Sequence, residues 1–175
     1  MLLIGRCIEQ ELMEKPSKET FVNLVYDNIN IIYKICRIYS SIDDEDLRQE
    51  IIYQLWKAYP SFMGKSKFQT WMYRVALNTA IVGLRKKKIA TVPISKDLGN
   101  HPINDKDENR NDQLESLYRY IDMLDVIDKA IIFLYLEKCS YEDISQVLGI
   151  STSNVGVKLN RIKKRLREMF NKENV

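Results

Sequence analysis

One histidine and three cysteines in 175 residues leave little for metal or redox chemistry. Cys7, Cys36 and Cys139 are odd in number and scattered, so they form no disulfide framework and no zinc-ligand spacing. Each sits in an apolar helical pattern, which predicts buried thiols in a reducing cytosol. The single histidine, His101, falls in a loop-like stretch. Glycine is also sparse, at six residues, and none builds a phosphate-cradling loop. With no nucleophile–base constellation either, the chain reads as a non-enzyme that needs neither cofactor nor metal. Apolar runs are short. The opening MLLIGRCI is soon followed by Glu9, Glu11 and Glu14, which excludes a signal peptide or a membrane span there.

What is present is the composition of a globular protein: 45% hydrophobic and 29% charged residues. The length suits one domain or two small ones, and a cytoplasmic location is expected. Net charge is only +3, but it is segregated. Residues 1–88 hold 14 Lys/Arg against 10 Asp/Glu, residues 89–128 hold 4 against 9, and residues 129–175 hold 9 against 5. Two basic blocks flank an acidic middle.

Helical periodicity runs through both basic blocks, and no segment alternates as a strand would. Phe21, Val25, Ile29, Ile32, Cys36 and Tyr39 form one stripe. Leu47, Ile51, Leu55 and Ala58 form a second, and Phe68, Met72, Val75, Thr79 and Val82 a third. Residues 89–112 lose the pattern and collect Pro, Gly, Asn and Asp, the composition of a mobile linker. Periodicity returns near Leu114 with Leu117, Ile121, Leu124, Ile127 or Asp128, Ile131 and Leu134. The expected fold is all-α: two small helical domains, 1–88 and 113–175, joined by a flexible linker over 89–112.

The segment SYEDISQVLGISTSNVGVKLNRIKKRLREMF specifies a helix-turn-helix. Ser140 and Asp143 have capping-box spacing, and Gly149 can take the left-handed conformation that ends a helix. Ser151 can cap the next one, whose stripe is Val155, Leu159, Ile162 and Leu166. Ser153, Val157, Asn160 and Lys164 then project within about 40° of the opposite side, with Arg161 and Arg167 about 60° away from that side's centre. Small polar residues at the start of a basic helix suit entry into a major groove, with later cations on phosphates.

At Asp43 the chain reads DDEDLRQEIIYQLWKAY. With Leu47, Ile51 and Leu55 inward, Asp46, Gln49, Tyr53 and Trp56 share another face, a large aromatic among polar contacts as on protein-binding surfaces. The following FMGKSKFQTWMYR interleaves aromatics and cations, as base stacking requires and as cores also do. Phe68 and Met72 fall on the third stripe, with Trp71 at its edge. Pro60 and Gly64 take Phe62–Lys67 out of the helices.

The ordered set DEDLRQEIIYQLW, F-x-T-W-M-Y-R-V-A-x-N-T-A-I-x-x-L-R-K, an acidic linker and SYEDISQVLGIS…NVGVKLNRIKKRL resembles the bacterial RNA polymerase sigma factors. The likeness is greatest to their small extracytoplasmic-function class, and covers roughly residues 20–88 and 114–168. It implies a promoter-specificity subunit that binds core RNA polymerase through the largest subunit's clamp and the beta subunit. It also implies that the chain binds promoter DNA as duplex and as melted single strand, and answers to an anti-sigma factor, with no membrane insertion. By the same resemblance Asp46, Gln49, Glu50, Tyr53 and Trp56 dock on polymerase. Phe62, Lys65, Lys67, Trp71, Arg74, Asn78 and Arg85 capture and melt the minus-ten element, and the loop 62–67 pockets an unpaired base. Ser153, Asn154, Lys158 and Arg161 match the helix that reads the minus-thirty-five element, Val157, Asn160 and Lys164 joining them by the projection above, and the linker lies in the RNA path. Val82 stands where the family often has Asp, Gly156 lies inside the recognition helix, and Leu124-Asp125 replaces a usual Leu-Pro. The residues alone also admit a helix-turn-helix regulator that works without polymerase.

Overall fold

The computed structural model describes residues 17–39, 44–90 and 116–173, and contains no strand among them. The chain divides into two compact units, Met1–Arg85 and Lys86–Val175. Residues 1–16 with Cys7, the cap region around Asp43, His101 and nearly all of the expected linker lie outside the described residues.

In the first unit, Ser17 starts α1 (Lys18–Asp27) by accepting a hydrogen bond from the Thr20 N–H at 3.1 Å. The stripe from Phe21 to Tyr39 does not belong to one helix. Asn28 breaks it, its amide donating to the Leu24 carbonyl at 2.8 Å while its φ of −116° leaves the helical region. An Asn side chain offers the backbone this alternative to continuing the helix. Next come α2 (Ile29–Tyr39), α3 (Asp44–Ala58), a 3₁₀ turn at Tyr59–Ser61, and α4 (Phe68–Ala90). Pro60 occupies the start of the turn, where its missing N–H costs nothing.

The core of this unit is Phe21, Val25, Ile32, Ile35, Ile51, Leu55, Met72 and Leu77, all buried. Each such side chain contributes about 1.5–3 kcal/mol of hydrophobic stabilisation. The register expected for α4 is corrected. Its buried face is Met72, Tyr73, Ala76, Leu77, Ala80 and Ile81. Val75 and Thr79 are half-buried, and Val82 is 47% exposed. Ala76 and Ala80 carry little hydrophobic signal in sequence, yet their small side chains are fully covered.

In the second unit a helical run over 116–122 (α5) stops at residues 123–125, where Met123 and Leu124 make three-residue turns back to Tyr120 and Ile121. The block expected to run from Leu114 is therefore two helices. α6 (Val126–Leu136) is buried over five successive residues, Ala130–Leu134, which makes it the centre of the unit. It ends in a Schellman turn: Cys139 N–H reaches the Leu134 carbonyl and Lys138 N–H that of Tyr135, both at 3.0 Å. Lys138 takes the left-handed φ of 59°.

α7 (Tyr141–Leu148) and α8 (Thr152–Glu173) complete the unit. Ile121, Leu124, Ile131, Ile132, Leu159 and Ile162 form one core cluster, with Leu148, Ile150 and Leu166 packed on it. Cys36 is buried as expected, but Cys139 is only half-buried. Burial first, then the Asp143 and Glu137 charges, push its thiol up to about 11. It stays protonated and unreactive near neutrality. Among the described residues no helix is long and apolar enough to cross a membrane.

Candidate nucleic-acid interface

Side-chain hydrogen bonds fix the start of α7 and both ends of the turn that joins it to α8. Ser140 Oγ accepts from the Asp143 N–H at 3.1 Å and donates to the Asp143 carboxylate at 2.8 Å. Gly149 adopts φ 68°, ψ 32°, the left-handed conformation that a side chain disfavours. Gly149 and Ile150 both donate to the Ser145 carbonyl, and Ser145 Oγ returns a 2.6 Å hydrogen bond to the Ile150 carbonyl. Ser151 Oγ then accepts from the Asn154 N–H at 3.2 Å and starts α8. The capping pattern in the sequence does not reveal the Ser145 bond. A small hydroxyl residue one turn before the terminal glycine is the available signal.

Val155, Leu159 and Ile162 are buried, so α8 can face outward only one way. Ser153, Asn154, Asn160, Arg161, Lys164 and Arg167 are exposed, and Val157 is 70% exposed. The outer face is thus polar at its N-terminal end and basic beyond it. Gly156 is accommodated on the turn side, where a Cβ would meet Tyr141 of α7 at 3.6 Å, an ordinary contact.

Lys158 departs from this pattern. It is half-buried, and its Nζ lies 3.4 Å from Oδ1 of Asp128, whose other oxygen lies 3.1 Å from Arg161 Nη2. Asp128 belongs to the first turn of α6, where the helix dipole favours a carboxylate, and is 4% exposed. Periodicity places position 128 at the apolar stripe but gives it no partner. An acid on such a stripe has to find cations, and Lys158 and Arg161, three apart on one helix, are the signal.

In the first unit, α3 presents Asp46, Gln49, Glu50, Tyr53 and Trp56 on its exposed side. Gln49 donates to Glu45 at 3.0 Å and Gln54 to Glu50 at 2.8 Å, so the polar face is pre-ordered within its own helix. Trp56 is 44% exposed while its ring meets Phe21 edge-on at 5.1 Å. From Phe21 the aromatics continue: Tyr59 at 5.0 Å, then Trp71 at 6.3 Å, with Phe62 and Phe68 at 5.1 Å and 5.3 Å from Trp71. Burial pushes the Tyr59 phenol above its ordinary range.

Phe62 is therefore half-buried against Trp71 rather than free in the loop. Beyond it Met63, Lys65 and Lys67 are exposed, around Gly64 at φ 66°. Arg74, Asn78 and Arg85 are exposed at steps of four and seven along α4, on one side of that helix. Gln69 of the same helix donates to Asn28 at 2.9 Å, which ties α4 to the α1–α2 junction. Among the described residues no cluster of His, Cys, Asp and Glu could hold a metal ion.

Residues 24–89 match the family Sigma-70 region 2, and residues 114–166 match Sigma-70, region 4. The ECF RNA polymerase sigma-E factor of Haemophilus influenzae is 30% identical over 161 residues, covering 83% of this chain and 84% of that protein. The ECF sigma factor SigG of Mycobacterium tuberculosis is 43% identical over 51 residues, which is 29% of this chain but only 14% of that protein. Among solved structures, the sigma factor RpoE of Bartonella quintana, crystallised with the anti-sigma factor NepR, superposes with a TM-score of 0.67. It does so at 18% identity, over 85% of this chain and 97% of that one.

Proposed function

Because the chain belongs to the ECF RNA polymerase sigma factors, we propose that it is a dissociable subunit giving core RNA polymerase its promoter specificity. It acts without catalytic chemistry of its own, in the cytoplasm. The first unit carries two surfaces. The α3 face, with Asp46, Gln49, Glu50, Tyr53 and Trp56, docks on the clamp of the largest subunit. The aromatic row with Phe62 and Trp71, the exposed Lys65 and Lys67, and Arg74, Asn78 and Arg85 take the minus-ten element as it melts. A stacked base is worth about 1–3 kcal/mol, comparable to the cost of unstacking it, so captured bases can hold a bubble open.

The second unit reads the minus-thirty-five element as duplex. Ser153, Asn154 and Val157 stand nearest the bases, and Asn160, Arg161 and Lys164 continue the contact along α8, with Lys158 drawn back toward Asp128. The acidic segment that follows α4 serves as the tether, so neither DNA-binding unit needs high affinity alone. The observation that carries this reading is the order of the two matched regions, each on its own helical unit with a polar, cationic face turned outward. An anti-sigma partner is proposed from the RpoE–NepR pairing of its structural neighbour.

Run-off transcription from a genomic fragment library tests the function. Core polymerase with the protein should yield discrete promoter-dependent transcripts that core alone does not. Identical products with and without the protein would refute the proposal.

A further inference from the structure

Among the described residues Asp128 is the buried carboxylate of the second unit, and it engages two cations of the helix proposed to read DNA. Burying an ion is unfavourable unless it is paired, so Asp128 draws both cations toward it. The two pairs differ in what they leave outside. Lys158 is half-buried, with its ammonium drawn toward Asp128. Arg161 gives one Nη2 to Asp128 at 3.1 Å, yet its side chain remains 65% exposed. A guanidinium has five N–H donors in a rigid plane. Anchoring that one nitrogen turns the remaining donors outward, beside Val157, Asn160 and Lys164 on the exposed face.

A loose arginine on a basic helix is attracted to the nearest phosphate, which carries no sequence information. An arginine tethered at one nitrogen is drawn away from that phosphate and keeps donors for the paired O6 and N7 acceptors of guanine in the major groove. We propose that Asp128, which itself touches no DNA, is a specificity-determining positioning residue. It holds Arg161 as a guanine-reading group and withholds Lys158 from the phosphate backbone. This rests on α8 being the DNA-reading helix.

The test uses the full chain assembled with core RNA polymerase. Duplexes carrying a random upstream segment are selected with the wild-type holoenzyme to define its preferred sequence. Affinities for that sequence and its single-base variants are then measured over a series of salt concentrations. Asp128→Asn should lose about ten-fold preference for one G·C pair, within the range set by a bidentate base contact. Arg161→Ala should lose preference at that same pair. Freeing the cations should also steepen the slope of log K against log salt by about 0.9 for each that moves to a phosphate. Asp128→Glu should restore both properties.

If Asp128→Asn keeps the wild-type preference and slope, the inference is wrong. It is equally wrong if affinity falls uniformly over all sequences, as a merely structural role would give. Should Asp128→Asn not fold, Arg161→Lys keeps the charge but loses the planar fork. It must lose the same G·C preference, and retaining it overturns the inference. A wild-type holoenzyme that selects no upstream sequence refutes the reading of α8 beneath it, whereas a selective wild type with an unaltered Asp128→Asn refutes only the role of Asp128.

Discussion

Two left-handed residues frame the short helix α7, and they carry opposite side-chain costs. Lys138 takes φ 59° at the end of α6, and Gly149 takes φ 68° at the end of α7. A Cβ in this region costs about 1–2 kcal/mol, a cost glycine avoids. Lys138 bears it because the Schellman hydrogen bonds from Lys138 and Cys139 satisfy the last carbonyls of α6. Lys138→Gly should therefore raise the stability of the full chain by about 0.5–1 kcal/mol, the relief of strain less the extra freedom of glycine when unfolded. Gly149→Ala should lower it by about 1 kcal/mol, even though no atom lies within 4 Å of the added Cβ. Urea midpoints measured on both variants check the pair, and shifts of equal sign would contradict it.

Among the elements, the helix-turn-helix depends on hydrogen bonds that cross its turn. The Ser145 hydroxyl satisfies the Ile150 carbonyl at 2.6 Å from within α7, while Ile150 packs on the unit's core. Ser145→Ala removes that donor at a partly buried site and should cost about 1 kcal/mol. A urea midpoint unchanged from wild type would show that water replaces the hydroxyl freely. Capping and the α8 stripe are legible in sequence because Ser140, Ser151 and Gly149 act on neighbouring backbone, and local chemistry suffices for them. The break at Asn28 is also local, but the stripe runs across it, so periodicity alone reads one helix. The register of α4 fails for a different reason. Ala76 and Ala80 are buried by what approaches them, and only tertiary packing decides that. Asp128 lies at the same limit, since its partners are 30 and 33 residues away.

For the whole molecule, the proposed function divides labour between faces of the first unit that can be separated by mutation. On α3, Gln49 and Glu50 are exposed, and their side-chain bonds are confined to that helix. Gln49→Ala with Glu50→Ala should therefore leave the fold intact and weaken association with core polymerase about ten-fold or more, as loss of contacts at the centre of an interface does. Lys65 and Lys67 lie in the exposed loop next to the aromatic row, away from the buried core. Lys65→Ala with Lys67→Ala removes two phosphate-binding charges where the melted strand would run. It should leave polymerase association near wild type and slow promoter opening several-fold, with the deficit growing as salt is lowered because each lost phosphate contact flattens the variant's dependence on salt. Co-purification with core polymerase reads the first property, and permanganate reactivity of unpaired thymines over time reads the second. Crossed results, with the lysine pair impairing association and the Gln49–Glu50 pair impairing only opening, would mean that the two faces have been exchanged. Two defects in both variants would mean instead that docking and melting share one surface.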